Sequence, residues 1–158
     1  MTTEPLPFEV EVEGPLGAGF PFARAAGRQL VVAVVGSAIA VARPLLGSRI
    51  ASGEGGRTHL FVGARAPSDV PLRDEIEAWS ERAHVTLCLS RAEVAHELAV
   101  LPRAQRRAGY VQTAVAALGS DAVVFAAGPA AMLSDIRALG AERGAGSHPA
   151  PLDVFTNA

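Results

Sequence analysis

Apolar residues gather in short unbroken runs, separated by stretches in which they recur every three or four positions. Five runs predict strands: Leu30–Val35, Thr58–Val62, His84–Leu89, Ala122–Ala126 and Leu152–Thr156. Several are continuously apolar and β-branched, as strands buried on both faces of a parallel sheet should be. The stretches between them read as helices. In PLRDEIEAWSERA (71–83), Leu72, Ile76 and Trp79 share one face, and Pro71 suits a first helical turn. In YVQTAVAALG (110–119), Val111, Val115 and Leu118 form a stripe that Gly119 can terminate. In PAAMLSDIRALG (129–140), Met132, Ile136 and Leu139 repeat the stripe, with Pro129 at the start and Gly140 near the end. Residues 39–50 also read as a helix, provided Pro44 falls within its first turn.

Strand–helix alternation of this kind predicts an α/β fold with a doubly wound parallel sheet. Ligands in such folds bind at the carboxyl ends of the strands, where strand order reverses. The turns after the first strand (36–38) and the fourth (127–129) are therefore the candidate sites. Ahead of the first strand, FEVEVEGPLGAGFPFARAAG (8–27) offers one strand around Val10 and Val12, then a Gly/Pro loop. GAERGAGSHPAP (140–151) reads as a connector into the last strand, and there is no internal repeat.

At 158 residues the chain can bury one sizeable core. A net charge of -2 argues against a general attraction to nucleic acid or to an anionic membrane. The longest apolar run, Leu30 to Ala42, stops at Arg43 and is too short to span a bilayer. The N-terminus MTTEPLPFEV has no apolar core of a signal peptide, so a cytoplasmic location is expected. Cys88 is the single cysteine, which excludes an internal disulfide and a Cys-ligated cluster. Lying in an apolar run, it reads as a small buried hydrophobe rather than a nucleophile. His59, His84, His96 and His148 show no metal-ligand spacing, so no metal site is expected. Asp74, Glu75 and Glu77 suit the positive end of a helix dipole better than acid–base catalysis, and Trp79 reads as core.

The first candidate turn, VVAVVGSAIAVARPLL (31–46), is a strand, a Gly36–Ser37 corner and a helix. Such a corner can cradle a phosphate through Gly36 and Ser37, but it lacks GxGxxG, since Ala38 stands where a second glycine would be. By itself it could equally be a tight turn. Neither a G-x-S-x-G nucleophile elbow nor a P-loop lysine is present.

Further stretches occur in a telling order: GPLGAGFP (14–21), GSAIAVARPLL (36–46), THLFVGAR (58–65), VTLCLSR (85–91), GYVQ (109–112) and FAAGPAAM (125–132). Together they resemble the pyridine-nucleotide-binding half of the ferredoxin–NADP reductase superfamily, from about Gly14 onward. The resemblance implies a single doubly wound, Rossmann-like, five-stranded parallel sheet in the order 3-2-1-4-5. It divides the chain into residues 1–28, like the end of a flavin domain, and 29–158, an NAD(P)-binding-like domain. The family's first turn reads like G-T-G-I-A-P and cradles the diphosphate; Gly36, Ser37, Ile39 and Ala40 match it, whereas Ala38 and Val41 do not. Its fourth turn reads like C-G-P-P-x-M and meets the nicotinamide. There Gly128, Pro129 and Met132 match, while Ala127 replaces the cysteine and Ala130 the second proline. Ser90 and Arg91 resemble the pair that holds the 2′-phosphate of NADP, with Arg65 nearby and Tyr110 toward the adenine. Arg103, Arg106 and Arg107 form a further basic cluster. All five arginines could instead simply solvate the surface. Phe155 and Asn157 correspond to C-terminal residues that the family places beside flavin or nicotinamide.

The family's FAD-binding barrel and its arginine–tyrosine–serine motif have no counterpart in these residues. The resemblance therefore implies one of two roles. In the first, the chain is an NADP- or NAD-binding subunit of a flavin-dependent electron-transfer oxidoreductase, and FAD is held by a flavin-bearing partner chain. In the second, it is a degenerate, non-catalytic assembly or regulatory subunit that keeps the fold.

Overall fold

The computed structural model describes residues 11, 13, 14, 19–91, 103–118, 121–144 and 152–156. They form six parallel strands: β1 (Gln29–Val35), β2 (Thr58–Ala64), β3 (His84–Leu89), β4 (Gln105–Ala108), β5 (Ala122–Ala127) and β6 (Leu152–Thr156). The sheet order is β4-β3-β2-β1-β5-β6. The expectation of five strands in the order 3-2-1-4-5 is thus corrected to six. The added strand β4 has the sequence QRRA, and all four residues are exposed. It joins the edge through backbone bonds to β3, opposite Thr86 to Leu89, and buries no apolar side chain of its own.

The helices α1 (Ala42–Ala51) and α2 (Arg73–Ser80) cover one face, packing Leu45, Leu46, Ile76 and Trp79 against Leu30, Val32, Val34, Leu60 and Leu87. On the other face α3 (Val111–Ala116) and α4 (Ala130–Glu142) pack Val115, Met132 and Ile136 against Val31, Ala33 and Val124. Alternate residues of β1 and β5 thus enter opposite cores, which is why those strands are apolar throughout. Chain order runs outward through β2 and β3 on one side of β1 and through β5 and β6 on the other, so the switch point lies between β1 and β5.

Two expectations about local structure change. The corner after β1 is a 3-10 helix, Gly36–Val41, that leads into α1; Pro44 falls in the first turn of α1, where its missing N–H costs nothing. Helix α2 starts at Arg73 rather than Pro71, because Leu72 takes a left-handed conformation with φ of 52°. Gly140 lies near the end of α4, as expected; a Cβ there would stand 2.5 Å from Val154 Cγ2, so glycine lets the helix settle onto β6. The stretch around Val10 and Val12, Gly119, His96, His148 and Asn157 lie outside the described residues.

The described part of 1–28 belongs to the same core as the rest. Ala25, in the 3-10 helix Phe22–Ala25, is fully buried, and Phe20 stacks on Phe125 of β5 at 4.9 Å between ring centroids. Phe155 of β6 meets the other side of that ring edge-on at 5.7 Å.

Candidate functional site

Parallel strands end in one direction, and their tips here line a cleft of about 580 Å³, within the usual range of ligand pockets. Its floor is made by Val35, Gly63 and Cys88 at the ends of β1, β2 and β3. The α3 end supplies Tyr110 and Gln112, and the α4 end supplies Pro129 and Met132. Gly63 is required by this floor: a Cβ there would lie 2.7 Å from Val35 Cγ2 and 2.8 Å from Val111 Cγ2.

Of the residues singled out from sequence, Gly36, Arg65, Ser90, Tyr110, Pro129 and Met132 line this one cleft. Gly36 has φ of 59°, a conformation that L side chains rarely adopt, and no atom lies within 4 Å of where its Cβ would be. The backbone at this corner is therefore bare toward the cleft. Ser37, beside it, is exposed. The first N–H groups of a 3-10 helix lack partners within the helix, so this corner is rich in backbone donors.

Arg65 and Ser90 continue from adjacent strand tips. The β2–β3 ladder extends beyond the strands through Ser90 N–H to Ala64 O at 3.1 Å and Arg91 N–H to Arg65 O at 3.0 Å. This pairing holds two guanidinium-bearing residues side by side at one rim, and both are exposed. Among the described residues neither side chain has a hydrogen bond or ion pair. Tyr110, which follows the neighbouring strand β4, is 62% exposed.

Ala38, Ala127 and Gly128 lie differently. Ala38 packs against the core on the α1 face, so its methyl is directed into the protein rather than into the cleft. Ala127 is fully buried in that same core, in the layer that includes Phe125 and is topped by Phe20 and Phe155. Neither residue lines the cleft, and neither does Arg91. Gly128 sits under Met132 and Val35: a Cβ would meet Met132 Cε at 3.0 Å and Val35 Cβ at 3.3 Å. It shapes the corner by letting the β5–α4 turn pass close to β1.

Two cleft residues escaped the sequence reading. Asp69 lies in a 3-10 turn, Pro67–Asp69, where its carboxylate accepts the Ala66 N–H at 3.2 Å. Gln112 donates through Nε2 to Asp135 Oδ2 at 3.0 Å and so links α3 to α4 beside the opening. Asp69 in a turn and Gln112 on a short helix carry no apolar periodic signal, and only the fold brings these two to the cleft. Cys88 was expected to be buried, and it is; it also forms part of the floor. Burial pushes its thiol up to about 11, with only a small opposing pull from Arg107, so it remains protonated at neutral pH. Among the described residues no group of three or more His, Cys, Asp or Glu side chains is placed to hold a metal. No helix among them is long and apolar enough to cross a membrane.

The remaining arginines of the sequence cluster have separate places. Arg103 lies against Glu77 and Glu81 of the α2 segment, at 3.4 Å and 3.1 Å. Arg106 and Arg107 belong to the edge strand β4. The trio does not face the cleft as a unit. Comparison of the chain with family profiles, with curated proteins and with solved structures finds no match.

Proposed function

We propose that the cleft binds NADPH or NADH, and that the chain is the NAD(P)H-binding subunit of a flavin-dependent oxidoreductase of the ferredoxin–NADP reductase kind. FAD would be held by a partner chain. The observation that carries the reading is that Gly36, Ser90 and Pro129, from three separate turns, line one cleft at the switch point of the sheet. On this reading the bare backbone at Gly36, with Ser37 and Ala38, receives the diphosphate. Arg65, Ser90 and Arg91 receive the adenosine ribose and a 2′-phosphate, for which exposed and unpartnered guanidinium groups are suited. Tyr110 offers a ring face to the adenine. Gly128, Pro129 and Met132 border the nicotinamide end. When bound, the dinucleotide would supply the hydride; the protein's part is to bind it and aim it.

A second reading is favoured by one observation. Ala127 takes the place of the family's cysteine, and it is fully buried in the core and does not line the cleft. Such a residue offers no side chain to a nicotinamide, which suits an assembly or regulatory subunit that keeps the fold without transferring hydride. Ala38 does not favour this reading, because its methyl points away from the cleft.

Titration of the whole chain with NADPH and NADH decides whether the cleft is used. Dissociation constants of about 1–100 μM support binding, and no binding at about 1 mM removes the reading. Arg91→Ala should weaken NADPH by at least about tenfold while leaving NADH nearly unchanged, because only NADPH carries the extra phosphate. Equal losses for both would reject the 2′-phosphate role. Binding without hydride transfer to a copurifying flavoprotein would favour the assembly subunit.

A further inference from the structure

A second cavity, of about 450 Å³, opens on the α3–α4 face of the sheet and shares no lining residue with the cleft. Helix α3 is only six residues long and packs over β1 and β2, leaving β3 and β4 outside its cover. The floor crosses three strands: His59 and Phe61 from β2, His84 and Thr86 from β3, Gln105 and Arg107 from β4. The wall on the α3 side is apolar, made of Ala114, Ala117 and Leu118. The charged and titratable groups around it are therefore His59, His84, Arg106 and Arg107, with no carboxylate among the lining residues.

His59 and His84 are direct partners in the β2–β3 register, and their rings stack at 4.6 Å with 25° between planes. Stacked rings present their edges, and so their N–H groups, side by side. His84 Nε2 lies 3.2 Å from Gly56 O, which anchors one ring at the far end of the strand. Two imidazolium rings in this arrangement would repel each other. Burial, and then the neighbouring His84, hold the proton affinity of His59 below its ordinary value. The Arg107 guanidinium adds fixed positive charge and has no hydrogen bond or ion pair among the described residues. On protonation of the histidines the cavity would gather positive charge, with no carboxylate among its lining residues.

We infer that this cavity is a binding site for a phosphate dianion, held by the Arg107 guanidinium and by the protonated edges of His59 and His84, with Thr86 and Gln105 as neutral donors. A guanidinium and two imidazolium groups match the charge and the several acceptor oxygens of a phosphate monoester. The cavity is larger than a bare phosphate, leaving room along the Ala114, Ala117 and Leu118 wall for a small organic group. The site is independent of the dinucleotide cleft. A bound dianion favours the charged imidazoles and raises their proton affinity. The phosphate itself takes up its second proton near about pH 6, so binding peaks where charged imidazoles and the dianion coexist and fades as pH rises through the histidine range.

The test is an NMR titration of the histidine C2–H signals of the whole chain, between about pH 8 and pH 5. The probes are inorganic phosphate and glycerol 3-phosphate; the latter has no ring to occupy the cleft. Both His59 and His84 signals should move with ligand, their midpoints should rise, and affinity should increase from about pH 8 to about pH 6, below which the phosphate loses its second charge. Arg107→Gln should weaken binding by at least about tenfold, whereas Arg65→Ala should not. Should Arg107→Gln fail to fold, His59→Gln takes its place and should flatten the pH dependence of binding. Tighter binding of glycerol 3-phosphate identifies an organic phosphoester as the ligand; tighter binding of inorganic phosphate identifies the free anion. Histidine signals indifferent to both probes, or a folded Arg107→Gln chain that binds as the parent does, would overturn the assignment.

Discussion

At the amino-terminal end of the sheet, arginines are tied down. Arg49 is 1% exposed, and its guanidinium donates to Thr58 Oγ1, Ala25 O, Arg28 O and Glu54 Oε2 at 2.6–3.1 Å. Arg28 bridges Asp121 and Asp153, joining the lead-in to β5 with β6, and Arg57 donates to Gly27 O. At the carboxyl-terminal end, Arg65 and Arg91 stand exposed with no side-chain partner among the described residues. The same residue type is thus spent on cohesion at one end, while at the other Arg65 and Arg91 are left available even though Arg43 there pairs with Glu75 and Arg73 donates to Pro67 O and Val70 O. Sheet direction explains the difference. Loops at the amino-terminal ends run beneath the fold and can close on themselves, whereas the carboxyl-terminal loops diverge around the switch point and leave a cleft.

The sharpest test of this contrast is Arg49→Met. It removes a buried cation and takes one donor each from Glu54 Oε2 and the Ala25 and Arg28 carbonyls. Breaking one side of a buried ion pair costs about 3–5 kcal/mol, so the denaturant midpoint should fall steeply. Loss of under about 1 kcal/mol would mean that the network at this end is dispensable, and the contrast would collapse.

Cys88 is the next test, because it asks whether the cleft floor is reactive. With its thiol raised to about 11, little thiolate exists near neutral pH. Alkylation in the folded chain at about pH 8 should be at least about a hundredfold slower than in the denatured chain. The folded state also holds the thiol proton more tightly than the unfolded state. Its contribution to stability is therefore complete below the ordinary thiol range and is lost as pH climbs toward about 11. Rapid labelling at neutral pH would show instead that the floor is open to solvent.

A smaller effect is expected from Gly36→Ala. The new methyl meets empty space, but the left-handed backbone is strained for alanine. Stability should fall by about 1 kcal/mol, and NADPH and NADH should weaken together because the diphosphate is common to both. Full stability with loss of binding would place the glycine's role entirely in ligand approach.

Most of the architecture was legible because burial on two faces writes long apolar runs, as in Leu30–Val35 and Ala122–Ala127. Strand β4 was not, since Gln105, Arg106, Arg107 and Ala108 are all exposed and pair only through their backbone. Arg49 was silent for the opposite reason: in GSRIASGEGGRT it looks like a solvated helix residue, and only the close return of 25–28 and Glu54 buries it. The cleft was half legible. Glycine and proline marked the Gly36 and Gly128 corners, and Ser90 stood at the end of an apolar strand. Which side Ala38 and Ala127 face was not legible, because it depends on the phase of each strand or turn relative to the two helical layers. The places of Asp69 and Gln112 required the packing of the turns and helices around the strand tips, and the pairing of His59 with His84 required the β2–β3 register.

The smallest expected effect completes the comparison. Arg65→Ala removes a guanidinium with no partner among the described residues, so its stability cost should stay within about 0.5 kcal/mol. Its effect should lie in binding alone: NADPH weakened, NADH little changed, and the loss larger at low ionic strength, where an exposed charge is least screened. Measured beside Arg49→Met, the pair separates two uses of one side chain. Arg49 should move the unfolding midpoint whether or not nucleotide is present. Arg65 should move it only when NADPH is present, since a ligand stabilises the folded chain in proportion to the logarithm of its occupancy ratio. An Arg65→Ala chain that is already destabilised without nucleotide would mean that the exposed rim carries structural load, and the carboxyl-terminal end would then resemble the other.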